Sequence, residues 1–190
     1  MNDKLNDAYA SFCDKNDFVQ KMNTKIKHIA VSKLMTYTHI AGVYTYYTGE
    51  ANLNTNFPGY TLPYTAAHEL SHQRGTARED EANFLAFLVC MESDDSYIRY
   101  SGYLNLFEYV AGALYKADGS LYSSLMSDLD MRIYSELFSY NKFFDKYRDS
   151  AASKISGTVN DTYLKSQGQE AGTDSYGRVV DLAVAYFIPN

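Results

Sequence analysis

The chain of 190 residues carries 46% hydrophobic and 21% charged side chains, a balance that excludes disorder and gives enough chain to bury a core in one domain. Net charge is −6 with no cluster of Lys or Arg, which excludes a nucleic-acid partner, because phosphate binding needs concentrated positive charge. No run approaches the ~20 apolar residues that span a bilayer, and the N-terminus lacks the apolar centre of a signal peptide.

In chain order, residues 4–35 read as helix, with Leu5, Tyr9 and Phe12, then Val19, Met22, Ile26 and Ile29, at helical spacing. Residues 40–56, IAGVYTYYTGEANLNTN, are rich in β-branched and aromatic side chains and predict two short strands turning at Thr48-Gly49-Glu50. Pro58-Gly59 and Pro63 mark an irregular link. Thr65 is the expected cap of a helix ending near Gly75, and the next helix runs from about Ala77 to Glu92. Helices follow over about 96–117, 120–138 and 139–153, with Leu121, Leu125, Leu129, Ile133 and Leu137 as a core stripe. Residues 156–176 read as loop with a short helix at NDTYLKS, and YGRVVDLAVAYF as a buried closing helix.

The fold class is therefore α+β and predominantly helical, a single domain over 1–190. A helical lead-in covers 1–39, the sheet and the motif-bearing helices cover 40–95, and a helical part covers 96–190. Cys13 and Cys90 match no metal or redox spacing and read as small buried apolar side chains. The 19 tyrosines, with no Trp, suit half-buried surfaces and polar clefts.

Chemistry concentrates in HELSH, residues 68–72. On a helix, positions i and i+4 share a face, so His68 and His72 can bind one zinc ion together. Glu69 stands beside them, placed to take a proton from a water on the metal and to act as general base. Such a site needs a third protein ligand and an open fourth position. The acids of GTAREDEANFLA, which open the following helix, are where that ligand can return; acids also favour a helix's first turn without any metal.

HELSHQRGTAREDEANFLA, with TGEANLNT before it and NDTYLKSQGQ and GTDSYGRVVDL after it, resembles an uncharacterised bacterial domain family of unknown function grouped with membrane-anchored, zincin-like zinc peptidases. The resemblance covers about residues 40–185. It implies a zincin-like domain with a small sheet beside the HExxH helix, a peptide or protein substrate, and spanning segments ahead of the domain. On that basis the chain is expected to be the soluble part of a longer, membrane-anchored protein, on the extracytoplasmic side. More remotely, the segment is similar to zincins whose third ligand is a glutamate opening E-x-x-A-(N/D). Glu79, Ala82 and Asn83 fit, which makes Glu79 the expected ligand and Asn83 its support. The metzincin arrangement fails, because Arg78 stands at the third-histidine position. Helical geometry also favours Glu79, one turn from Asn83, over Glu81, about 200° around the helix. Glu81 becomes the better ligand if the helix starts late.

GEANLNT is the expected edge strand for a substrate backbone. Tyr176 is the expected donor to the reaction's oxyanion, with Arg178 and Tyr100 as alternatives. The expected function is zinc-dependent hydrolysis of peptide bonds. The alternatives are a zinc-stabilised binding or sensor domain without turnover, and a hydrolase of non-peptide amides.

Overall fold

The computed structural model describes residues 1–148 and 176–188. Helix α1, Asn2–Lys15, buries Leu5, Ala8, Tyr9 and Phe12. It stops at Lys15 instead of continuing to 35, and the reason lies in two asparagines on its own surface. Asn6 donates to the Thr24 carbonyl at 2.7 Å and accepts from the Thr24 N–H at 3.2 Å; Asn2 accepts from the Ile26 N–H at 2.9 Å. These side chains act as a short ladder for the non-helical backbone over 24–26, which follows a turn at 17–19. Val19 and Ile26 therefore reach the core from non-helical chain.

The chain then forms strand β1, Lys27–His28, helix α2, Ser32–Met35, and a 3-10 turn over Thr36–Thr38. Strand β2, Gly42–Thr45, and strand β3, Glu50–Leu53, form the expected hairpin. Sheet order is β1-β3-β2, with β1 parallel and β2 antiparallel to β3. The GEANLNT segment is thus the central strand and not the edge, because β1 covers its other side. The open edge near the helices belongs to β2.

Helix α3, Thr61–Gln73, begins four residues before the expected Thr65 cap. Pro63 lies in its first turn, where no N–H is needed. The Ser101 hydroxyl donates to the Tyr60 carbonyl and accepts from the Tyr64 N–H at 3.0 Å, supplying the partner a cap would have given. Helix α4, Glu79–Glu92, lies against α3, and α5, Ser96–Ala117, packs on both. Sheet, α1, α4 and α5 enclose α3, and Ala66, Ala67 and Leu70 are fully buried.

Asp95, Asp118 and Asp130 cap α5, then α6, Gly119–Asp128, and α7, Met131–Asp145. The break after α6 falls at 129–130 and not at 138–139, so the leucine stripe is split between two helices. It is not core: α6 buries no residue, and Leu121 is 56% exposed. Helix α8, Tyr176–Phe187, packs on α4 and α5 through Val179 and Ala183, while Val184, Tyr186 and Phe187 are exposed. It is amphipathic rather than buried. The loop and short helix expected over 156–175 lie outside the described residues. Cys13 and Cys90 are free thiols, and burial pushes the Cys90 thiol up to about 12. Among the described residues no helix is long and apolar enough to cross a membrane.

Candidate metal centre

His68 and His72 lie one turn apart on α3, and the chain must reverse at once to bring an acid back to them. Gly75 makes that reversal with φ +100°. Its N–H reaches the His72 carbonyl at 3.0 Å, and the Thr76 N–H reaches the Ser71 carbonyl at 3.2 Å. This is the paired C-terminal bonding of a Schellman turn. The turn also aims the Thr76 carbonyl at His72 Nδ1, 2.7 Å away. A carbonyl only accepts, so Nδ1 carries a proton there and Nε2 is the nitrogen that faces the site.

Helix α4 then opens on Glu79. Its Oε2 lies 3.2 Å from His68 Nε2 and its Oε1 lies 3.4 Å from His72 Nε2, while the two Nε2 atoms are 3.0 Å apart. Ligand atoms on a tetrahedral zinc with bonds near 2.0–2.1 Å are about 3.3 Å apart; each of these contacts is near that spacing, with a different Glu79 oxygen facing each histidine. Among the described residues these three form the one cluster with metal-ligand spacing. Glu81 is turned away and 52% exposed, paired with Arg78 at 3.4 Å.

The electrostatics of the cluster agree with this spacing. Burial opposes ionisation of Glu79, but hydrogen bonds from His68 and His72 outweigh it and hold the carboxyl well below the usual carboxylate range. Burial also opposes charge on His72, and the hydrogen bond and charge of Glu79 raise it above the ordinary imidazole value. Burial pushes the neighbouring Glu69 upwards, against the pull of both histidines. Glu69 is only 6% exposed, and the Tyr44 amide of strand β2 adds a smaller pull toward its charged form.

Support comes from behind. Tyr9, fully buried on α1, donates to the Ala67 carbonyl at 2.6 Å and lies 2.7 Å from Ser71 Oγ, on the side of α3 away from the cluster. The Arg74 guanidinium stacks 3.8 Å over the Tyr9 ring and donates to the Met22 carbonyl at 2.8 Å. Gln73 donates to the Gly49 carbonyl at 2.6 Å, fastening the helix end to the hairpin.

Residues 1–184 match the family described as a protein of unknown function, DUF3810. The chain belongs to that family. No curated protein and no solved structure matches it.

In this DUF3810 chain the sequence-predicted residues divide. His68, His72, Glu79 and Glu69 come together. Asn83 is buried one turn beyond Glu79, but its side chain meets the Tyr64 hydroxyl at 3.3 Å and makes no hydrogen bond to Glu79. Its role is to tie α4 to α3, one step behind the ligand. Tyr100 donates to Glu136 on α7 at 2.6 Å, and Arg178 is exposed on α8. Tyr176 opens α8, and its side chain lies outside the described residues. His39 is engaged with the Tyr147 carbonyl at 3.0 Å, and His28 is an exposed strand residue.

Three participants escaped the sequence reading. Thr76 was legible in principle, since a glycine turn after a helix presents the next carbonyl to the last turn. Tyr44, whose ring stacks on His72 with centroids 6.5 Å apart, and Gly42, which faces Glu69, carry no signal in sequence.

Proposed function

We propose that this protein is a zinc-dependent peptidase with a zincin-like site. The observation that carries the reading is the convergence of His68, His72 and Glu79, whose ligand atoms lie within 4.8 Å of one another, beside a buried glutamate that is not one of them. His68, His72 and Glu79 would hold the ion. When bound there, zinc supplies Lewis acidity, lowering the pKa of water toward ~7 and polarising a carbonyl.

The remaining work falls to the chain. Glu69 takes the proton from the attacking water and carries it to the leaving nitrogen. Burial favours this role, since it raises the carboxylate's basicity. Strand β2 supplies the backbone edge. The Ala41 carbonyl accepts from the Asn54 N–H at 2.9 Å and the Thr45 carbonyl from the Gly49 N–H at 2.8 Å. By alternation, Gly42 and Tyr44 turn their backbone groups outwards, toward the site, where an extended peptide can pair with them. A site meant only to hold structure has no use for a buried base beside the ligands, which favours turnover over a binding or sensor role.

The test has two parts. Metal analysis of the purified protein is expected to give one zinc per chain, and a fluorogenic peptide library is expected to be cleaved in a chelator-sensitive way. Glu69→Gln should keep its zinc and lose hydrolysis by several orders of magnitude, as it deletes the base and keeps the shape. Zinc without any peptide turnover would move the reading to a zinc-held binding domain or an amidase of other substrates. A membrane-anchored, extracytoplasmic setting belongs to the same proposal on the sequence resemblance alone, and fractionation of cells that carry the full-length protein tests it.

A further inference from the structure

The Glu69 carboxylate lies where strand β2 leaves it room. A Cβ placed on Gly42 would fall 2.5 Å from Glu69 Oε1, 2.6 Å from its Cγ and 2.8 Å from its Cδ. All three distances are far inside van der Waals contact, and all three atoms belong to Glu69. Two residues along the same strand, the Tyr44 amide exerts a small pull that favours the charged form of the same carboxylate. Strand β2 therefore bounds the Glu69 side chain at Gly42 by having no side chain there.

We propose that β2 is the positioning element of Glu69: the absence of a side chain at Gly42 sets where the carboxylate sits, so a peptide lying along that edge is registered against the base by a single strand. The Gly42 contact stands on geometry alone; the link to a peptide rests on the peptidase reading above.

The direction in which the clash resolves decides what a substitution does. The β2 backbone is held to β3 by the sheet ladder and by the Asn54 N–H to Ala41 carbonyl bond. The Glu69 side chain is the movable partner. A methyl group at Gly42 thus displaces the carboxylate while leaving the strand in place. The three nearest atoms it would meet all belong to Glu69 and none to His68, His72 or Glu79. Misplacing a reacting group by about 1 Å costs roughly 100-fold in rate.

The experiment is Gly42→Ala made in the wild type and in Glu69→Ala. Melting in the presence of chelator is expected to fall by about 2–6 °C in the wild-type background and to stay unchanged or rise in Glu69→Ala, where truncation has vacated the space. Zinc affinity of Gly42→Ala, by competition with a chromophoric chelator, should equal wild type. On the fluorogenic peptide library kcat should fall about 100-fold with KM unchanged. Equal melting shifts in the two backgrounds overturn the proposal, and so does a Gly42→Ala enzyme with wild-type kcat. A wild-type protein that takes up no zinc or cleaves no peptide overturns the peptidase reading instead, and the melting cycle still decides the Gly42 contact.

Discussion

Gly75→Ala separates backbone conformation from packing at the turn that assembles the metal centre. No atom lies within 4 Å of the position its Cβ would take, so the substitution meets no steric obstacle. What it meets is φ +100°, a conformation that costs a residue with a Cβ about 1–2 kcal/mol. In a domain of this size that loss lowers the melting temperature by about 3–8 °C. If the backbone relaxes toward negative φ, the Thr76 carbonyl leaves His72 Nδ1, and losing such an orienting acceptor weakens metal binding about 10–100-fold. The comparison is Gly112→Ala on the exposed face of α5, also with nothing within 4 Å. There the same methyl group restricts the unfolded chain and stabilises by about 0.5–1 kcal/mol. Thermal unfolding with chelator, followed by zinc competition, reads both effects. A Gly75→Ala protein that melts at or above wild type refutes the conformational argument.

Three further outcomes follow from the contacts. Glu79→Gln should lower zinc affinity by orders of magnitude in a competition titration while Glu81→Gln leaves it unchanged; the reverse order would return the third ligand to Glu81. Tyr9→Phe deletes the bonds to Ala67 and Ser71, but Ser71 Oγ keeps its own bond to the Ala67 carbonyl at 3.0 Å. Nothing is orphaned, so the cost should be near 1 kcal/mol in denaturant unfolding, with zinc retained. Burial raises Glu108 to about 7 against the opposing hydrogen bond from Tyr60. Because the folded value lies above the unfolded one, Glu108 leaves stability intact below about pH 4 and removes it as the pH rises through about 7. Glu108→Gln should therefore gain on wild type in melting temperature between pH 5 and pH 8, and a constant difference would refute the assignment.

The parts of this molecule that were legible in sequence are those decided locally. The i, i+4 histidines, the glycine after them and the acid opening the next helix all act within one helical hairpin, so spacing alone brings them together. The ends of α4 and α5 were legible for the same reason, set by the turn before Glu79 and by Asp95. The non-helical run over 16–26 was not, because Val19, Met22 and Ile26 fit a helical stripe and the deciding partners, Asn2 and Asn6, lie 18–24 residues away. The α6–α7 break did have a local signal in Asp130, which caps α7, but the leucine repeat overrode it. Strand order also depended on β1, whose two residues carry no strand signature. The space at Gly42 depends on Glu69, and no pattern of residue types foretells that approach.

Glu79 follows His68 by only eleven positions, whereas Tyr9 meets Ser71 across 62 and Gly42 must arrive from the sheet. Loops of about ten residues close in roughly 10–100 ns, long before distant segments find one another. The His68, His72 and Glu79 set can thus assemble in a partly folded chain that has neither its rear prop nor the wall beside Glu69. If the set holds zinc and Glu69 acts as base, as proposed, metal capture and catalytic geometry belong to different stages of folding. On that proposal, damage to α1 or to the hairpin should leave a protein that still binds the ion and has lost hydrolysis, so metal content would be a poor measure of how much of a preparation is correctly folded.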